Sequence, residues 1–380
     1  MPLPSRPARR NLGLILAAFL AIAPAAQALM NFDGTRNQLF VFGGLTLAYD
    51  SNIYAEADGR GDYSLTAQAG TELKRKAGLI AIDFTAKVDV VHYGEFTDED
   101  TVNPNFALLL SKDTGRTTGS LSVSAYRETR SDSSVNLRTS SLNYPVALNV
   151  RYLIDDKFYL TSATEYLHRT YEDDASLVDY SDISEGVDFY YTYSSKLDLL
   201  AGYRLRLSEA ALYGRATDHW LSVGATGDIL PKLTGTFRVG YQLRNMESGT
   251  PDHYDHFNFM AGLTWPVMRK LSISLNALRD FGTTADGESV DTSSLSVLGT
   301  YSYNSKLQFS TGLSTGLNDF LGQTQNDRRD TFCSWDTGFQ YKMNEHFQFG
   351  GTYVYFRNWS SLPVADYVNH RVSVTVSCRY

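Results

Sequence analysis

The stretch YSYNSKLQF, Tyr301–Phe309, puts two aromatic residues two positions apart, then a small polar turn, then a lysine followed by a new alternating apolar pair. Versions of it recur as RYLIDDKFYL from Arg151, YTYSSKLDL from Tyr191, GDILPKLTG from Gly227, WPVMRKLSI from Trp265 and YKMNEHFQF from Tyr341. The cations Lys157, Lys196, Lys232, Lys270, Lys306 and His346 fall every 36 to 40 residues, the spacing of a repeated supersecondary unit. Each copy closes one strand and opens another, so the unit is a pair of hairpins.

Between these turns the apolar residues repeat at every second position, as a strand requires when one sheet face meets oil and the other water. Leu271, Ile273, Leu275 and Ala277 alternate with Ser272, Ser274 and Asn276; Val372, Val374, Val376 and Cys378 alternate with Ser373, Thr375 and Ser377. A soluble sandwich would alternate too. The connections separate the two cases: short links (KRKAG, DTGR, DDK, SSK, LPK, MRK, NSK, NEH) alternate with long polar ones of about 10 to 14 residues. That asymmetry predicts an all-β, antiparallel, up-and-down transmembrane barrel with short periplasmic turns and long external loops.

Counting between the links predicts eighteen strands. They start near Phe40, Tyr63, Leu79, Phe106, Gly119, Val146, Phe158, Val187, Leu197, Leu221, Leu233, Phe257, Leu271, Leu295, Leu307, Cys333, Phe347 and Val372. The alternation blurs at 108–110 and 162–164, which leaves sixteen open. Tyr193, Trp265, Tyr303 and Tyr341 sit just before short turns, where an amphipathic ring lies at the membrane interface with a lysine reaching water beyond it.

Of the 380 residues, 1–28 read as a secretory signal peptide: Arg6, Arg9 and Arg10 precede a short apolar core, and Ala26-Gln27-Ala28 gives the small-x-small cleavage pattern. Residues 29–380 then form one barrel domain in the outer membrane of a Gram-negative bacterium. The mean hydropathy of -0.26 excludes a helical membrane protein, and two cysteines exclude a disulfide framework. Cys333 and Cys378, near opposite ends of their strands, are expected to be free. A net charge of -8 gives no reason to expect a nucleic-acid partner; the expected surroundings are outer-membrane lipid and lipopolysaccharide.

No catalytic constellation, metal site or cofactor motif is expected. His253 and His256 in PDHYDH, with Asp252 and Asp255, have ligand chemistry but read as a solvated loop. The acidic segment with Glu172, Asp173, Asp174, Asp179, Asp182 and Glu185 reads as an external loop, as does that with Glu95, Asp98, Glu99 and Asp100. His168 reads as lipid-facing near a strand end. Strand parity, taken from the residue after each turn lysine, sends Arg151, Arg169, Arg204, Arg206, Arg238 and Arg244 into the lumen with Tyr190. It also sends inward Glu72, Asp83, Asp89, Glu165, Asp188, Asp198, Asp228 and Asp336. Two arrangements stay open: a ladder of arginines that attracts anionic solutes, or ion pairs that fill the lumen.

The segment FGGLTLAYDSNIYAEADGRGDYSLTAQAGTEL, Phe42 to Leu73, holds an Asp-Ser-Asn-Ile-Tyr element between an opening strand and a polar loop. It resembles the Putative beta-barrel porin 2 family, and the terminal Tyr380 resembles the signal read by the barrel-assembly machinery. Members of that family often accompany exopolysaccharide operons. The resemblance implies a porin-like barrel for export or passage of a secreted polysaccharide, with a periplasmic export partner supplying any energy. The alternatives are a general diffusion porin for small hydrophilic solutes and a non-conducting surface protein that retains capsule or adhesin.

Overall fold

The computed structural model describes residues 30–32, 37–76, 78–172, 176–211, 214–247, 253–321 and 328–380. The predicted signal peptide, with Asp173, Asp174 and Asp252, lies outside the described residues. A short β1 (Met30–Phe32) precedes β2 (Asn37–Asp50), β3 (Asp62–Arg75), β4 (Ala81–Tyr93), β5 (Thr101–Lys112), β6 (Thr117–Asp132) and β7 (Leu137–Leu153). There follow β8 (Phe158–Glu172), β9 (Tyr180–Ser194), β10 (Leu197–Ala210), β11 (Gly214–Leu230), β12 (Leu233–Met246) and β13 (His253–Met268). The remainder are β14 (Leu271–Thr283), β15 (Ser289–Ser302), β16 (Leu307–Phe320), β17 (Arg329–Lys342), β18 (Phe347–Ser360) and β19 (Tyr367–Arg379).

Strands β2 to β19 pair antiparallel, each with its chain neighbours, and β19 closes on β2 from Arg371↔Asp50 to Arg379↔Phe42. The ring is therefore eighteen strands, as the link pattern predicts. At the seam Val41 and Tyr380 exchange backbone hydrogen bonds of 2.9 Å in both directions. β1 folds back on β2, pairing Met30 with Leu39.

The repeated short turn has a local cause. In three copies an Asp or Asn side chain accepts from the two backbone N–H groups that open the next strand. Asp155 takes Lys157 and Phe158, Asn304 takes Lys306 and Leu307, and Asn344 takes His346 and Phe347, all at 2.8 or 2.9 Å. This side-chain turn satisfies donors that the hairpin cannot pair. Tyr303, one step before Asn304, and Tyr193, before the Ser194 turn, are 54% and 66% exposed in a barrel whose outer face is a belt of exposed aliphatic and aromatic side chains. Such a surface needs an apolar surround. The terminal Tyr380 stacks on His346 of the last turn, with centroids 4.5 Å apart.

The long-loop end departs from the sequence reading. Strands run up to nine residues further toward that end than their alternation suggests; β7 starts at Leu137, not near Val146. His253 and His256 belong to β13 rather than a loop, and Asp182 and Glu185 to β9. Asp255 and His256 consequently point to opposite sides: Asp255 accepts from the outward Tyr241 hydroxyl, whereas His256 is buried against Asp291 at 3.0 Å. Among the described residues no cluster could hold a metal ion. His168 does take the outward position, bonded to Ser181 at 2.8 Å and stacked on Tyr144. Cys333 and Cys378 are free.

Close strand approach depends on glycine where a bulky side chain crosses. A Cβ on Gly240 would lie 2.1 Å from the Leu221 carbonyl oxygen and 2.6 Å from Trp220 Nε1, whereas one on Gly262 would meet only Asn276 Oδ1 at 3.6 Å. Gly240→Ala is expected to destabilise the barrel by about 1–3 kcal/mol, and Gly262→Ala to stay near the parent. The check is the urea concentration at which the folded, unheated gel band disappears.

Candidate functional site

Each predicted arginine points into the lumen, and each has a partner. Near the short-turn end Arg151 lies 4.0 Å over the Tyr159 ring, and Tyr159 stacks on Tyr190 with centroids 4.4 Å apart. Tyr159 donates to Asp198 at 2.8 Å. One level up, Arg238 grips both oxygens of Asp188 at 2.9 and 2.8 Å and donates to the Tyr190 hydroxyl at 3.0 Å. Arg169 donates to Asn143 at 2.5 Å and lies 5.5 Å from the Tyr180 ring. Of the two arrangements left open by the sequence, the ion-paired one describes the ladder.

The centre of the site is a network that parity could not reveal. Arg204 holds both oxygens of Asp280, at 3.0 and 2.9 Å, and Gln242 donates to the same carboxylate at 2.8 Å. Arg206 reaches Asp280 at 3.2 Å and donates to Asp218 at 2.7 Å. Arg244, with no exposed side-chain surface, donates to both Asp218 oxygens at 2.6 and 3.0 Å. Parity marks the arginines; Asp218 lies before the alternation of β11 becomes clear, and Asp280 lies in what reads as a loop.

Asp280 sits on β14 and Arg204 on β10, four strands away around the ring. A contact across that span requires the end of β14 to leave the wall. The register agrees: β13–β14 pairing stops at Phe259↔Arg279, while β14–β15 pairing continues to Thr283↔Ser289. Over the gap, Tyr254 of β13 donates to the Leu321 carbonyl beyond β16 at 3.2 Å. The β14–β15 hairpin thus folds into the lumen, and the wall arginines receive it. Arg206 donates to the Phe281 carbonyl at 2.6 Å, and Arg244 to the Gly282 carbonyl at 2.8 Å and the Ser289 hydroxyl at 3.1 Å.

Other segments meet this hairpin. The Val178 N–H, before β9, donates to the Ala285 carbonyl at 2.9 Å. From the β6–β7 hairpin, the Ser133 and Ser134 carbonyls accept from Arg328, which lies just before β17 on the far side of the ring, at 2.7 and 2.5 Å. Ser131 donates to the Ile53 carbonyl of the β2–β3 loop at 2.5 Å. In that loop, burial with a hydrogen bond to Glu99 pushes the Tyr54 phenol above its ordinary value.

The mouth is therefore bridged, and the space is divided. A vestibule of about 570 Å³ lies among Glu56, Asn136, Asp286, Arg328 and Val364. A gap of about 200 Å³ separates Asp132 and Arg169 from Val290 and Phe320. Further down the wall, about 240 Å³ opens beside Glu165, Asp188, Arg204, Trp220 and Arg238.

Asp218 balances Arg244 and shares Arg206 with Asp280 in a buried setting. Asp218→Ala is expected to cost about 3–5 kcal/mol, because removing one partner leaves the others' charge uncompensated. Chemical unfolding in detergent checks this, with Asp198→Ala, whose partner is a tyrosine, as the milder comparison.

The fold matches solved structures at low identity. The outer membrane protein OpdK of Pseudomonas aeruginosa aligns at a TM-score of 0.52 and 10% identity, covering 90% of this chain and 99% of that one. OccK3 (OpdO) of the same organism gives 0.51 and 11%, covering 90% and 95%; OccAB2 of Acinetobacter baumannii gives 0.50 and 11%, covering 90% and 98%. No curated protein sequence matches the chain. Residues 209–380, from the end of β10 to the C-terminus, match the model of the Putative beta-barrel porin 2 family, the family that the Asp50–Tyr54 element resembles.

Proposed function

We propose that the chain is a channel of the Gram-negative outer membrane for small hydrophilic solutes, with residues 1–28 as the signal peptide that directs its export. The observation that carries this reading is the bridged mouth: spaces of about 200 to 570 Å³ suit one small solute at a time. Solutes would meet Arg151, Arg169, Arg238 and Tyr190 along the wall, and the Arg204, Arg206 and Arg244 cluster at the inward hairpin. Binding there is weak enough to release because each cation already has a carboxylate, hydroxyl or ring partner. OpdK of Pseudomonas aeruginosa was crystallised with vanillate, a solute of this size.

Passage of a secreted polysaccharide is the second reading, and the family resemblance favours it. It requires both the β6–β7 and β14–β15 hairpins to swing out of the lumen, and a periplasmic machine to supply direction, since a barrel has no energy source of its own.

Single-channel recording in a planar bilayer separates the readings. The expected result is a steady conductance that small neutral sugars share and that acidic or neutral polysaccharides added to the short-turn side leave uninterrupted. Interruption by polysaccharide would transfer the weight to polymer passage. A barrel that never conducts would sink both and leave surface retention.

A further inference from the structure

The polar contacts between the inward hairpin and the wall run almost wholly one way. Arg204, Arg206, Arg244 and Gln242 on β10 and β12 donate; Asp280 and the carbonyls of Phe281 and Gly282 on the hairpin accept. Three guanidinium groups are directly ion-paired to two carboxylates, Asp218 and Asp280, with Asp182 of β9 acting on Arg206 from further off. Of the two directly paired carboxylates, only Asp218 belongs to the wall. With the hairpin displaced, Asp218 would be the one carboxylate left in direct contact, Arg204 would lose its own, and the wall would hold donors aimed at the place Asp280 now fills.

Arg204 reaches both Asp280 oxygens through the one nitrogen Nη2, while its Nε is buried without a hydrogen-bond partner, so the guanidinium keeps a donor that a carboxylate bound through two nitrogens would use. The lumenal space of about 240 Å³ reaches Arg204 from below, so a small acid can approach the same guanidinium without crossing the hairpin. Displacement breaks no strand ladder on the β13 side, because β13–β14 pairing has already ended at Arg279.

We propose that Asp280 is a tethered internal ligand, occupying a site for a carboxylate-bearing solute, and that exchange of its carboxylate for the solute's releases the β14–β15 hairpin and widens the lumen. This rests on the channel reading above and adds to it the class of solute and a means of opening. The hairpin and the solute compete for one set of donors, so a ligand binding only the released state shifts the population toward it.

Glucuronate and glucose, alike in size and differing in charge, are the probes. In the parent, conductance is expected to rise severalfold and saturably with glucuronate and to ignore glucose. Asp280→Asn, which keeps the side-chain volume, is expected to conduct at the raised level without acid and to lose the response. Equal conductance in both sugars, or an Asp280→Asn variant that behaves like the parent, overturns the proposal. A second readout does not depend on conduction: maleimide labelling of Gly282→Cys in a Cys333→Ser, Cys378→Ser background. Here glucuronate should speed labelling and glucose should not; Asp280→Asn should label fast in either. Absent conductance with the labelling pattern intact sinks the channel reading alone, whereas labelling indifferent to glucuronate sinks the tethered ligand.

Discussion

Every backbone N–H and C=O that enters the hydrocarbon layer must find its partner inside the chain, and the β19–β2 seam is where this ring meets that demand. Closure removes both sheet edges at once. It also sets the alternation of side chains: a strand that cannot expose its backbone gives every second residue to lipid and the others to the lumen. The polar lumen is thus a consequence of closure before it is a feature of transport. Charges placed there meet one another across a confined space, and Arg238–Asp188 is what that confinement produces.

The same demand explains why the arginines gather where they do. Once β14 leaves β13 above Arg279, the backbone on the departing hairpin loses its ladder on one side. Buried carbonyls in that state need donors. Arg206 and Arg244 supply them to Phe281 and Gly282, and Asp218 compensates the charge that this requires. The arginines therefore act first as substitute strand partners for an inward hairpin, and any solute contact is built on that role. Gln242, bonded to both Asp280 and Asn258, extends the same repair across β12 and β13.

The parts of this structure that local physics decides were legible in the sequence. The turn at Asn304 is set by contacts two and three residues away, the girdle by the position of Tyr303 beside it, and the strand count by the rhythm of the links. Inward parity for the arginines follows from the two-residue period alone. What parity lacks is a partner: Arg204 and Asp280 are 76 residues apart, and Arg328 and Ser133 are 195. The acidic and histidine-bearing segments read as solvated loops because polar composition is the same whether a segment meets water or packs over a lumen. Only the tertiary contacts at Val178, Ile53 and Ala285, all nearly inaccessible, distinguish the two.

The two readings of function differ in what must be broken. For a polymer to pass, the β14–β15 hairpin must give up Asp280, Phe281 and Gly282, and the β6–β7 tip must give up Arg328 on the far wall. These contacts draw on different strands and share no residue, so polymer passage has to break two separate sets of bonds. A small solute needs less, since the gap between Arg169 and Phe320 persists while both hairpins stay in place. On the small-solute reading, selection sits at the hairpins and not in the width of the barrel, and the wide ring of eighteen strands serves to house them.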